Sequence, residues 1–293
     1  MLTNSIWGDI KYQFTYGNAA IKLIFANVGI FLIVVLFKLV CIVAQVPNLY
    51  VLIINYLKVP ASLGTLLYQP WSLFSYMFLH EGVMHILFNM LWLYWFSEIV
   101  ILFLGDKKIL PIYIMGGLAG AGLYILMYNT IPYFKGAMPI AYMAGASAGV
   151  MAIVWAAVAL SPDYEIRLPI LGNVKIKYIA IVSILIDIIS IPQGNAGGHI
   201  AHIGGALMGY WYIRILQGGT DLAAPFTAIG NVFKPKPVVK LTHISETKVA
   251  GKPIPSDKVQ EKLDAILDKM NESGYDSLSK EEKDFLFRYS DEK

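Results

Sequence analysis

Residues 178–213 read YIAIVSILIDIISIPQGNAGGHIAHIGGALMGYWYI, and Asp187 is the one Asp, Glu, Lys or Arg among them. A helix crosses the apolar core of a bilayer in about 20 residues, so this stretch is too long for a single passage. Pro192-Gln193-Gly194-Asn195 sits inside it and is a turn signal. The reading is two antiparallel membrane helices, near 177–192 and 199–216, joined by a short corner. The pattern recurs toward the N-terminus. Stretches free of charge cover 23–37 and continue past Lys38, then 82–105 with only Glu98, 109–134 and 136–162. Six helices are therefore expected, near 20–42, 80–104, 109–128, 147–161, 177–192 and 199–216. Residues 43–79 are also apolar, but Pro47, Pro60, Gly64 and Pro70 interrupt them, so they read as a large, partly membrane-embedded first loop. The expected fold class is an all-α membrane bundle of six helices with a small soluble helical tail.

Composition agrees with a membrane assignment. Of 293 residues 57% are hydrophobic and 15% charged, and the mean hydropathy is +0.59, whereas soluble domains carry about 25% charge. The charge is also displaced toward one end: residues 1–213 hold ten Lys/Arg and seven Asp/Glu, and residues 214–293 hold thirteen of each. The domain reading is a bundle over 1–217, a linker over 218–255 containing Pro235, Pro237, Pro253 and Pro255, and a tail over 256–293. In the tail, Val259, Leu263, Ile266, Leu267 and Met270 form an apolar stripe that Gly274 ends, and Ser279-x-x-Glu282 is a capping box opening a second helix. The net charge of +3 is not clustered in the body, which excludes a nucleic-acid partner. Cys41 is the single cysteine, so no internal disulfide or CxxC pair exists. The N-terminal stretch with Asp9 and Lys11 lacks the layout of a cleaved signal peptide.

Short loops with excess Lys/Arg stay on the cytoplasmic side. With the N-terminus inside, the inner loops hold Lys11, Lys22, Lys107, Lys108, Arg167, Lys175 and Lys177, against Lys58, Lys135 and Lys38 on the outer side. Both termini are expected in the cytoplasm.

Polar residues inside spans are costly and are functional candidates by default. Gly145-Ala146-Ser147-Ala148-Gly149 opens the fourth predicted helix, His202 lies in the sixth, and His85 and Asn89 lie in the second. Small residues around a serine suit helix packing as well as a nucleophile, so this pentapeptide by itself leaves both readings open. Depth adds information. Ser147 and His202 each stand fifteen residues before the expected inner end of their helix. At ~1.5 Å per residue that is roughly 22 Å into a ~30 Å core, several Å below the outer surface. Asn89 falls at nearly the same level and His85 one turn further out on the same face. Such a layer suits acyl transfer: His202 takes the proton of Ser147, while the Asn89 amide, a His85 ring N–H and the Ser147 backbone N–H stabilise the oxyanion. No carboxylate lies at that level on these three helices, so the arrangement reads as a dyad.

His80-Glu81-Gly82-Val83-Met84-His85-Ile86-Leu87-Phe88-Asn89, Gly145-Ala146-Ser147 and Ala201-His202-Ile203-Gly204-Gly205-Ala206-Leu207-Met208-Gly209 resemble, in order and spacing, the second, fourth and sixth helix motifs of rhomboid intramembrane serine proteases. Gln69-Pro70-Trp71 is similar to a first-loop segment of bacterial members. The resemblance implies Ser147 as nucleophile, His202 as base, His85 and Asn89 as oxyanion donors, and Gly205 and Gly209 as a close-packing face toward the fourth helix, with Gly145 and Gly149 flanking the serine. It implies no metal or other cofactor, and single-span membrane proteins cut near the outer face as substrates, in a bacterial inner membrane. Two departures stand out. Ala148 follows the serine where many members have glycine, and Met151 replaces an aromatic that stacks on the catalytic histidine; Trp71-Ser72 stands where a Trp-Arg pair is common.

The other polar residues have plainer readings. His80 shapes the first loop, His199 hydrogen-bonds near the site or lines a water path, and Asp187 lacks the acidic partner an aspartyl mechanism needs. His80-Glu81 with His85 misses the HExxH spacing by one residue. A catalytically silent relative that binds clients is the alternative function, and a small transporter or a haem-carrying oxidoreductase is a third. The tail reads equally as a solubility element or as a dock for a cytoplasmic partner.

Overall fold

The computed structural model describes residues 5–168, 172–224, 256–273 and 275–291. They divide into two compact units, one within 1–234 and one within 235–293.

In the first unit, α1 (Ile6–Tyr16) is followed by α2 (Ala19–Val43), whose first turn is capped by the Asn18 side chain accepting from the Ile21 N–H at 3.0 Å. The first loop is itself structured. It contains α3 (Pro47–Leu57), β1 (Val59–Pro60), α4 (Leu63–Tyr68), α5 (Ser72–Ser75) and a 3-10 turn at Tyr76–Phe78. Its polar side chains hold it together. Gln69 Nε2 donates to the carbonyls of Asn55 and Lys58, Trp71 Nε1 to that of Tyr56 at 2.9 Å, and Ser75 Oγ to that of Leu57 at 2.6 Å. The Gln69-Pro70-Trp71 segment thus pins α3 and β1 to the start of α5.

Next come α6 (Val83–Leu104), α7 (Ile109–Thr130), α8 (Pro132–Lys135), β2 (Tyr142–Met143) and α9 (Ser147–Leu160). A hairpin of β3 (Glu165–Leu168) and β4 (Gly172–Lys175) leads into α10 (Ile176–Ser190) and α11 (Ala196–Gln217). The corner between the last two uses residues suited to left-handed backbone, Gly194 at φ 134° and Asn195 at φ 49°. Beside the β3–β4 hairpin, Asp163 accepts from Lys177 and Lys175, which hold its carboxyl below the usual carboxylate range. β1 and β2 pair antiparallel, Val59 with Met143 and Pro60 with Tyr142. Two short ladders therefore accompany the helices of the expected all-α fold. They escape a hydropathy reading because strands of two residues (β1, β2) or four (β3, β4) are too short to show a periodicity.

The six expected segments each contain a helix: α2, α6, α7, α9, α10 and α11. Among the described residues, four helical stretches are long and apolar enough to cross a membrane, at 19–43, 83–104, 106–130 and 176–193. α9 has 14 residues, and α11 carries His199, His202, Arg214 and five glycines. α9 is the packing centre, in contact with α6, α7, α10 and α11, and its residues from Ala148 through Val154 are all buried. The outer helices invert the pattern of a water-soluble protein. α10 buries Ile176, Ala180 and Asp187 while exposing Ile181, Val182, Leu185, Ile186, Ile188 and Ile189. Exposed aliphatics of this density are stable against hydrocarbon, not water.

The unit continues past Gln217. Lys108 pairs with Asp221, Tyr212 OH donates to Asp221 Oδ1 at 3.3 Å, and Ala223 is fully buried. The start of the expected linker at 218 thus belongs to the body. Its prolines, the Val259 side chain and Gly274 lie outside the described residues. In the second unit, helices Ser256–Ser273 and Lys280–Asp291 are described. The capping box is present: the Ser279 N–H donates to Glu282 Oε2 at 2.7 Å, and the Glu282 N–H to Ser279 Oγ at 3.3 Å. Ile266 and Leu278 are buried, and Lys269 pairs with Glu282 at 3.0 Å.

Candidate active site

The site begins where α9 begins. Gly145 adopts φ +143°, and its N–H donates to the Tyr76 carbonyl at 2.9 Å, so the chain reverses there and starts a helix at Ser147. Ser147 occupies the first turn, where backbone N–H groups have no intrahelical partner and the helix dipole is positive. A Cβ placed on Gly145 would lie 3.2 Å from His85 Nε2 and 3.4 Å from Ser147 Oγ. The His85 ring and the Ser147 hydroxyl therefore border the same small space, which the absent side chain keeps open.

A cavity of about 490 Å³ is lined by Ser147, His85, Asn89 and His202, together with Met151, Asp187, Asn195 and Gly198. Its walls are drawn from α6, α9, α10 and α11. The Asn89 side-chain amide donates to the His85 carbonyl in its own helix at 2.8 Å, which engages one of its two N–H bonds. The first loop reaches the same place, because β1 pairs with the β2 segment just before Gly145 and Tyr76 receives the Gly145 N–H. Tyr76 and Tyr113 anchor that arrangement, donating to the carbonyls of Gly117 at 2.6 Å and Met77 at 2.7 Å.

Helix packing around Ser147 depends on missing side chains. A Cβ on Gly205 would stand 2.0 Å from the Ala148 carbonyl oxygen, and one on Gly209 2.0 Å from that of Ala152. α11 and α9 therefore meet backbone to backbone. Gly149 lies against Tyr113 of α7. Ala148, the residue in place of a glycine after the serine, is accommodated because Gly120 and Gly205 face it.

The sequence reading left Asp187 outside this layer, and the fold brings it in. His202 Nδ1 and His199 Nδ1 each lie 2.8 Å from Asp187 Oδ1. Asp187 is 5% exposed, so this is a buried carboxylate with two imidazole partners. A signal was available: Asp187 is three residues from the C-terminal end of α10, as His199 and His202 are three and six residues into α11. A depth count applied to the fifth helix would have placed all three at a similar level, though not facing one another. His80 is buried beside His85, with ring centroids 5.2 Å apart.

Asp187, His199 and His202 have donor atoms within 4.8 Å of one another, the spacing of a metal-ligand group. The contacts are of hydrogen-bond length instead. Two donors on one tetrahedral zinc at ~2.0–2.1 Å stand roughly 3.3 Å apart, whereas both Nδ1···Oδ1 distances are 2.8 Å.

Residues 257–292 match a family of unknown function (DUF6576). The chain is 26% identical over 215 residues to "Presenilin-associated rhomboid-like protein A, mitochondrial" of Danio rerio, covering 72% of this chain and 51% of that protein. It is 28% identical over 142 residues to "Rhomboid protease GlpG" of Salmonella paratyphi A, covering 48% and 47%, and 28% identical over 143 residues to the protein of that name in Pectobacterium atrosepticum, covering 49% of each. The chain thus spans about half the length of the curated relatives it matches. The Rhomboid domain family matches residues 68–218, which run from the first loop to the end of α11 and make up just over half of the sequence, and the chain belongs to the rhomboid family.

Proposed function

We propose that this chain is an intramembrane serine endopeptidase, with Ser147 as nucleophile and His202 as general base. The observation that carries the reading is the single cavity lined by Ser147, His202, His85 and Asn89, with Ser147 in the first turn of α9. In the reaction, Ser147 Oγ attacks a peptide carbonyl while its proton passes to His202. The same imidazole then protonates the leaving amine, and water hydrolyses the acyl-serine. The oxyanion is stabilised by the His85 ring, the second N–H of Asn89 and the backbone N–H at Ser147, aided by the α9 dipole. The relatives named as rhomboid proteases support this activity class.

The wider reading is a six-span bundle in a bacterial inner membrane, with both termini in the cytoplasm, its body extending past Gln217 through the packed Asp221 and Ala223, followed by a linker and a helical tail over 256–293. Single-span membrane proteins are the clients, cut near the outer face. α9 crosses despite its length because α6, α7, α10 and α11 surround it, and polar ends buried in protein need no lipid match. A serine and a histidine on one cavity favour this over a silent client-binding relative. The test is reconstitution with a panel of single-span substrates. Cleavage and fluorophosphonate labelling are expected for the wild type and absent for Ser147→Ala, and wild-type protein that binds clients but neither cuts them nor takes the label would establish the binding role instead.

A further inference from the structure

We propose that Asp187 is a positioning residue for His202: its carboxylate accepts the Nδ1–H of the imidazole and thereby leaves the Nε2 lone pair as the base for Ser147. The inference rests on the protease reading above. A carboxylate only accepts hydrogen bonds, so an Nδ1 at 2.8 Å from Oδ1 carries a proton. In a neutral imidazole one nitrogen donates and the other accepts, and the partner of one sets the role of the other. His202 with Nδ1 on Asp187 presents a bare Nε2 on the far edge of its ring, which is the form a general base requires.

Three further observations point the same way. Asp187 lies on α10, whose exposed face is lined with isoleucine, leucine and valine, and a carboxylate buried there is costly without partners. His199 Nδ1 reaches the same oxygen at 2.8 Å, a second hydrogen-bond partner for the buried carboxylate. Met151 lines the cavity without a ring to stack on His202, and the ring contact of His202 among the described residues is His199, edge-on at 5.9 Å. The hydrogen bond to Asp187 therefore supplies the orientation that Met151 cannot. During turnover the Ser147 proton moves to Nε2 and the Nδ1 proton stays on the ring. Asp187 remains a carboxylate and stabilises the imidazolium so formed, in surroundings where charge interactions are poorly screened.

The test uses the full chain in detergent with a cleavable single-span substrate and with ¹⁵N-histidine labelling. Asp187→Asn is expected to lower kcat by on the order of 10³–10⁴-fold with KM unchanged, the pattern of a base held in the wrong tautomer. Wild-type His202 should show the Nδ1-protonated nitrogen shifts, and Asp187→Asn should lose them while melting like the wild type. The chelator EDTA should leave wild-type turnover unaltered. Wild-type His202 protonated on Nε2 would overturn the proposal even if Asp187→Asn did not fold, and so would wild-type kcat in a folded Asp187→Asn. Activation by EDTA, or inhibition by added zinc that Asp187→Asn abolishes, would identify the trio as a metal site and also overturn it. Failure of the protease reading is distinguishable: wild-type protein would then be inert toward substrate and fluorophosphonate, while the nitrogen shifts would still report the Asp187–His202 bond.

Discussion

Ser147 and His202 are worth more together than apart, because the hydroxyl is a poor nucleophile without the imidazole and the imidazole has nothing to activate without the hydroxyl. Ser147→Ala and His202→Ala are each expected to abolish cleavage while leaving the protein folded, as judged by thermal melting alongside a gel-based cleavage assay. Residual full activity in either would remove the proposed dyad. Asn89 belongs to a different class of effect. One oxyanion donor contributes about 10²–10³ in rate elsewhere, but one Asn89 N–H already serves the His85 carbonyl and the His85 ring faces the same space. Asn89→Ala should therefore slow kcat less than Asn89→Ala combined with His85→Ala, with the double variant reaching that range. Single-turnover kinetics that leave the double variant as fast as wild type would take both residues out of the oxyanion role.

At the scale of elements, the contact between α9 and α11 is the one that sets the distance between Ser147 and His202. Gly205→Ala puts a methyl carbon 2.0 Å from the Ala148 carbonyl oxygen, one residue from Ser147. Backbone on both sides leaves nothing flexible to give way. The expected cost is ~1–3 kcal/mol or more of stability, with a loss of turnover that exceeds the loss of folded protein. Gly122→Ala in α7 is the matched control. A Cβ there meets nothing within 4 Å, so the better helix propensity of alanine should raise stability by roughly 0.5–1 kcal/mol. Melting temperatures of the two variants should move in opposite directions. The packing face at Gly205 and Gly209 was legible through the resemblance of Ala201–Gly209 to the sixth rhomboid helix. The first-loop ladder was not, since Val59–Pro60 pairs with Tyr142–Met143 across more than eighty residues of sequence, and neither strand has a pattern of its own.

For the whole molecule, the residues that line the cavity all belong to the first unit. Removing residues 235–293 should therefore leave the rate of fluorophosphonate labelling at Ser147 and the turnover of a minimal substrate unchanged in detergent. Effects on stability, oligomerisation or client choice in cells would assign the tail an accessory role, whereas lost labelling in a folded truncation would make it part of the enzyme. Clients are expected to be cut near the outer face and at spans containing Gly or Pro, because a regular helix ties up its carbonyls in i to i−4 bonds that must open before attack. Mass spectrometry placing the cut on the cytoplasmic side of a client would reverse the orientation proposed for the bundle.

Local hydropathy was sufficient to locate the helices from Ala19–Val43 to Ala196–Gln217, because membrane helices are written as runs of apolar residues broken by Pro, Gly and charge. Residue type and depth within those runs were sufficient to nominate His85, Asn89, Ser147 and His202, since a polar group in a span needs a reason to be there. The partnership of Asp187 with His199 and His202 needed the tertiary structure. α10 is apolar nearly all round, so its sequence does not encode which way it turns about its axis, and only its packing beside α11 directs the one carboxylate inward. The same holds where the body ends: Asp221 is one more charge in a polar tail by sequence, and its pairing with Lys108 exists because the fold returns the end of α11 to the start of α7.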